Sequence, residues 1–293
     1  MLRSNEIRAW FEANRALNGA YRHLRLSERE AARDAGLNEL SKLVREAHRD
    51  ARERLERLMG VSLDPLDPGA VARPDVEVYP DALDTITLQG YLGEILAGVV
   101  AENYDPHGHQ WTVPAFLFRG HAAAAQALER RRQLGGPARR GPGRTGDDAL
   151  AFVTDDDGVI TAWLYGEAKC THDHNRQLIH SAHEQLSTEI YAPVDLTQLI
   201  EILDERGSAD ARRWADALRL LLLVPRDEAP ERYDMLMYVC GRRPIQSQSW
   251  LSENAAPVEY SGGRDLEAVE VHLDDFDKVL STVYSEHVIR RCA

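Results

Sequence analysis

The segment DALAFVTDDDGVITAWLYGEAK, residues 148–169, constrains this chain more than any other. Two runs rich in β-branched and aromatic residues flank Asp157-Gly158, a dipeptide suited to the positive-φ geometry of tight hairpin turns. The pattern predicts two antiparallel strands, DALAFVTD and VITAWLYGEAK. Alternation puts Val159, Thr161, Trp163, Tyr165, Glu167 and Lys169 on one face. Ile160, Ala162, Leu164 and Ala168 then point the other way, toward a core. Glu167 and Lys169 become neighbours at the polar end of an otherwise apolar strand. Asp148 opens the partner strand after the glycine-bearing approach Gly143 to Gly146, at the same end of the pair.

Around this hairpin the chain alternates helical and strand patterns, which predicts an α/β fold. Residues 1–61 carry no proline and are rich in Ala, Leu, Glu and Arg, so they read as a helical N-terminal region. Ser27 and Glu30 have capping-box spacing, and AARDAGLNEL resembles a helix-turn-helix fragment. The Pro- and Asp-rich stretch 62–80 breaks periodicity and reads as a linker to one larger domain, 81–293. In that domain TLQGYLGEILAGVVAENY predicts an amphipathic helix with Leu88, Tyr91, Leu92, Ile95, Leu96 and Val99 on one face. WTVPAFLF predicts a strand and GHAAAAQALERRRQL a helix. Beyond the hairpin, three helical stretches between 175 and 223 precede the strands RYDMLMYVCG and LEAVEVHL and a last helix, DDFDKVLSTVYSE.

The formal charge of −13 disfavours a chain that wraps nucleic acid with its whole surface. The charge is nevertheless uneven. Residues 119–144 hold seven arginines against one acidic residue. This basic island lies just upstream of Asp148, and Arg139, Arg140 and Arg144 are its candidates for phosphate contact. No run approaches the ~18 apolar residues of a membrane span, and MLRSNEIRAW lacks the apolar core of a signal peptide. Three sparse cysteines, Cys170, Cys240 and Cys292, fit reduced thiols. A cytoplasmic protein without a membrane partner is the expectation.

Two carboxylates converging with a lysine suit hydrolysis assisted by a hard cation. Mg²⁺ prefers oxygen ligands, usually one or two carboxylates with water and phosphate oxygens. Between Asp148 and Glu167 it would activate a water and stabilise charge on a phosphate, with Lys169 orienting the water or offsetting that charge.

Asp148, 18 intervening residues and Glu167-Ala168-Lys169 across a strand hairpin resemble the PD-(D/E)xK nuclease superfamily. The residue before Asp148 is Asp147 where the motif has proline; Asp148 is favoured as the ligand because it adjoins the strand. Within that superfamily, GYLGEILA, VPAFLFRGHAAAAQALE, GDDALAF and GEAKC look like the C-terminal domain of anti-bacteriophage protein A and HamA, the nuclease subunit of Hachiman phage defence. The similarity covers roughly residues 80–285. It implies a restriction-endonuclease-like mixed sheet flanked by helices and Mg²⁺- or Mn²⁺-dependent cleavage or nicking of DNA. It further implies a superfamily 2 helicase partner similar to HamB. It also implies Glu94, on the preceding helix between Gly90 and Gly98, as a fourth site residue. Asp148, Glu167, Ala168 and Glu94 then form the metal-ligand set.

Two other readings stand beside this one. A non-catalytic adaptor would bind DNA or a helicase through the N-terminal region and cleave nothing. A zinc site would use Cys170, His172, His174, His180 and His183, although their spacing matches no finger.

Overall fold

The computed structural model describes residues 2–60, 80, 83–118, 148–190, 192–193, 195–225, 228–245 and 248–289. At its centre lies a six-stranded mixed sheet in the order β1-β2-β6-β5-β4-β3. The strands are β1 (Phe11–Asn18), β2 (Tyr21–Glu28), β3 (Ala149–Thr154), β4 (Ile160–Thr171), β5 (Glu231–Cys240) and β6 (Leu266–His272). β2, β6, β5 and β4 run parallel, while β1 and β3 are antiparallel to their neighbours. A parallel sheet covered on both faces needs strands that are apolar on both sides. β5 meets that demand with Met235–Cys240, all six wholly buried.

Helices α1 (Asn5–Trp10), α2 (Arg33–Gly60), α3 (Thr85–Tyr104) and α7 (Phe276–Ile289) cover one face. Their apolar side chains pack on Leu24, Ala162, Leu164, Met235, Met237, Val269 and Val271. Helices α4 (Arg176–Leu186), α5 (Leu196–Arg206) and α6 (Ala209–Leu223) cover the other face, over Trp163, Tyr165, Leu236 and Ala268. An α/β architecture with a mixed sheet between helical layers is therefore the observed fold. Among the described residues no helix is long and apolar enough to cross a membrane.

The N-terminal region departs from the helical expectation. Only α1 and α2 are helical there; FEANRALN and YRHLRLSE are strands joined at Asn18-Gly19, with Gly19 at φ +66°. Asn18 pairs with Tyr21, and β2 continues the sheet alongside β6. Ser27 thus lies within β2 and caps nothing, since the 3₁₀ turn Glu30–Ala32 has no side-chain cap. The helix-turn-helix fragment is instead the start of α2, which runs unbroken through Gly36. The expected strand WTVPAFLF contributes a single bridge, Thr112 to Phe152. Pro114 has no N–H to extend the ladder, and its carbonyl accepts from Arg206 at 2.7 Å.

Helix α3 is buried all round from Tyr91 to Asn103 rather than along one stripe. It lies close against the sheet at Gly93, where an added Cβ would stand 2.9 Å from the Cys170 Cβ and 3.7 Å from that of Ala168. Gly98 is likewise no open surface, since a Cβ there would meet the Phe116 ring at 2.6 Å. The helix GHAAAAQALERRRQL and most of the linker 62–80 lie outside the described residues.

Alanine in place of Gly93 would gain ~1 kcal/mol of helix propensity but force α3 off β4, a clash that costs about 1–3 kcal/mol. The clash is expected to win. Gly93→Ala should lower the urea midpoint, and an unchanged or raised midpoint would show that this contact does not set the helix-to-sheet spacing.

Candidate active site

The hairpin that carries the site is organised by Asp155. Its Oδ1 accepts the N–H groups of Asp157 at 3.0 Å and Val159 at 2.9 Å, and Gly158 takes φ +81°. The turn therefore spans Asp155–Val159, longer than a two-residue Asp-Gly loop. From there the ladder runs back to Ala149 opposite Gly166, with one irregularity at Val153/Thr154. Ile160, beyond that irregularity, packs with Trp163 in the α4–α6 layer, not with Ala162 and Leu164. Both faces of β4 are thus core, unlike the one-sided burial its alternation suggests.

One step beyond Ala149–Gly166, the register sets Asp148 opposite Glu167. Asp148 is 7% exposed, and its Oδ2 accepts the Ala168 N–H at 3.2 Å. Glu167 is 1% exposed. Its Oε1 takes a short hydrogen bond from Lys169 Nζ, while Oε2 is buried and receives none among the described residues. Burial, followed by the negative charge of Asp148, holds the Glu167 carboxyl well above its ordinary range; Lys169 offsets only part of this. The Lys169 side chain keeps 21% of its exposure, so the cluster reaches solvent at its amine. Asp148, Glu167 and Lys169, predicted from spacing alone, stand together at the end of one hairpin.

Alternation along β4 sets Glu167 and Lys169 on the side of Trp163 and Tyr165, which pack in the α4 layer. Ala168 and Cys170 face the opposite layer, where α3 lies against them at Gly93. Glu94 sits on that helix at 2% exposure, one turn before Gly98, which lines a small cavity together with Asp148; Tyr284 lies in its electrostatic surroundings. Arg139, Arg140, Arg144 and Asp147 lie outside the described residues. The parallel register adds a neighbour that spacing did not suggest: Tyr238 of β5 stands beside Lys169. Its hydroxyl accepts the Asn175 N–H at 2.9 Å and meets His174 Nδ1 at 3.1 Å. No pattern within either strand pairs these two residues; the parallel register of β4 with β5 does.

Among the described residues no three His, Cys, Asp or Glu side chains form a metal-binding group. The zinc reading fares poorly on geometry, because Cys170 packs toward α3 while His183 is buried on α4 in the other layer. Mg²⁺ asks for less. Two facing carboxylates, one with a buried oxygen that accepts no hydrogen bond among the described residues, are hard oxygen donors of the kind this ion uses with water and phosphate. No protein-family model matches the chain, and no curated protein does.

The raised Glu167 carboxyl has a stability consequence. A group whose pKa is higher in the fold stabilises it below the unfolded value, near 4.5, and loses that contribution as pH rises through the folded value. Glu167→Gln removes the titration. In EDTA, the variant's urea midpoint should gain on the wild type between pH 5 and pH 8.5. A constant difference would mean that Glu167 ionises normally in the fold.

Proposed function

We propose that the chain is a Mg²⁺-dependent deoxyribonuclease of an antiphage defence system, acting with a helicase partner. The observation that carries the reading is the convergence of Asp148 and Glu167 across the hairpin, with Lys169 tied to Glu167. The motif resemblance supplies DNA as substrate and a HamB-like superfamily 2 helicase as partner. A mixed sheet between two helical layers is compatible with the restriction-endonuclease-like fold that the motif implies.

In this reading Asp148, Glu167 and the Ala168 carbonyl hold the cation, and Glu94 is the further acid that the resemblance offers. When bound, Mg²⁺ supplies charge stabilisation at the scissile phosphate and a lowered pKa for its water. Each protein group then has a distinct task. Binding a cation favours the ionised form of Glu167, which burial and Asp148 otherwise disfavour. The hydrogen bond from Ala168 N–H fixes the Asp148 carboxylate along the strand direction. Lys169 Nζ, the exposed end of the cluster, donates to the attacking water or to a phosphate oxygen. The charge of −13 makes tight binding to DNA alone unfavourable, which fits substrate delivery by a partner.

Glu167→Ala, Lys169→Ala and Asp148→Asn should each lower Mg²⁺- or Mn²⁺-dependent DNA cleavage by ~10³-fold or more. Far-UV circular dichroism melts should stay cooperative. Cleavage by these variants at the wild-type rate would overturn the assignment. A folded wild type that cuts nothing with either ion, alone or with a superfamily 2 helicase, would leave the adaptor reading.

A further inference from the structure

A pocket of about 380 Å³ opens between α4 and the loop around Ser249–Glu259. Its loop wall is pinned from behind. Glu270, wholly buried, accepts hydrogen bonds from Ser249 Oγ and from the N–H groups of Trp250 at 2.7 Å and Leu251 at 3.1 Å. The indole of Trp250 stacks on the His174 imidazole, with centroids 3.9 Å apart and planes 8° from parallel. The result is a rigid aromatic wall built from two elements distant in sequence.

The α4 side offers acceptors. His183, 2% exposed, has its Nδ1 2.8 Å from the Ile179 carbonyl, so that nitrogen carries the hydrogen. Its Nε2 is left as a lone pair, buried with no hydrogen-bond partner among the described residues. Burial pushes the imidazole toward its neutral form, which keeps that lone pair. One turn earlier, His180 Nδ1 stands 3.0 Å from Glu259 Oε1, while its Nε2 accepts from Arg176 Nε at 3.2 Å. A planar aromatic wall, a buried acceptor, a carboxylate and a guanidinium therefore line one cavity.

We propose that this pocket takes a nucleotide whose base carries an exocyclic amino group, the base against Trp250 and donating to His183, the phosphate at Arg176. Aromatic rings bind bases by stacking without regard to sequence. The acceptors discriminate, because cytosine and adenine present amino donors where thymine presents a carbonyl oxygen. A site built on buried acceptors rejects an analogue that cannot donate to them. The pocket also adjoins the candidate active site through two side chains. His174, in the aromatic wall, meets the hydroxyl of Tyr238, which stands in register with Lys169. Only the assignment of the nucleotide to a strand being cleaved rests on the nuclease reading; binding itself needs no cation and no cleavage.

Isothermal titration calorimetry on the full chain in EDTA tests this with dCMP, dAMP, dTMP and deoxycytidine. Binding of dCMP and dAMP at millimolar concentration or below is expected, with dTMP at least ~10-fold weaker. His183→Phe should weaken dCMP ~10-fold, and Arg176→Ala, at an exposed position, should erase the preference for dCMP over deoxycytidine. Competition by a single-stranded oligo(dC) assigns the pocket to a nucleic-acid strand; binding of the mononucleotide alone assigns it to a free nucleotide. No heat with any mononucleotide, equal affinity for dTMP and dCMP, or wild-type behaviour in Arg176→Ala would overturn the proposal. Repeating the titration on Glu167→Ala separates the two readings, since that variant should bind nucleotide normally while cutting nothing.

Discussion

The hydrogen-bond register between β3 and β4 is the constraint on which the candidate site depends. Side chains alternate faces along a strand, so a slip of one residue would send Asp148 to the α3 layer and leave Glu167 alone. Three local features hold the register. Asp155 closes the turn with its side chain, Gly158 accepts the positive φ, and burial of both faces of β4 penalises any shift. The same double burial removes Glu167 from water, and that removal makes its chemistry differ from that of a surface acid.

How much of this could be read in the sequence varied by region for physical reasons. Asp148, Glu167 and Lys169 were legible because a hairpin is local: turn residues and a period of two suffice to bring them together. The N-terminal hairpin was equally local yet hidden. Its strands use Ala, Leu, Arg and Glu, good helix formers, and what orders them is pairing of β2 with β6, more than 240 positions away. Asn18-Gly19, a hairpin-turn dipeptide, is the local signal that a reading from composition passes over. Burial of α3 on all sides was also illegible, since it depends on which elements surround the helix. The faces of Glu94 and Tyr238 depend on packing between elements, which no spacing along one element encodes.

Buried acids in this fold show that one residue type serves opposite ends. For Glu270, burial alone would raise the carboxyl, but the imidazoles of His23 and His272, 3.5 and 3.6 Å away, and the hydrogen bond from Ser249 bring it down to about 2. Glu267 ties the N-terminal hairpin and the turn at His107 to β6, through Arg15 at 3.3 Å and the His107 N–H. Glu102 accepts the N–H groups of Leu2 and Val113. These carboxylates bind distant segments together and are met by donors. Glu167 is met by one lysine and a second carboxylate. Part of the net charge is therefore internal, so it overstates the acidity that an approaching partner encounters.

The pairing of β2 with β6 also imposes an order on assembly. During synthesis, the strand partner of residues 21–28 is made only after residue 265 has been added. Until then the N-terminal hairpin has one full edge of backbone donors and acceptors with no ladder to join, and loop closure over that separation is slow. β2 thus finds its place in the sheet only once β6 exists. A strand edge left open until β6 is made is where wrong pairing with other chains is favoured.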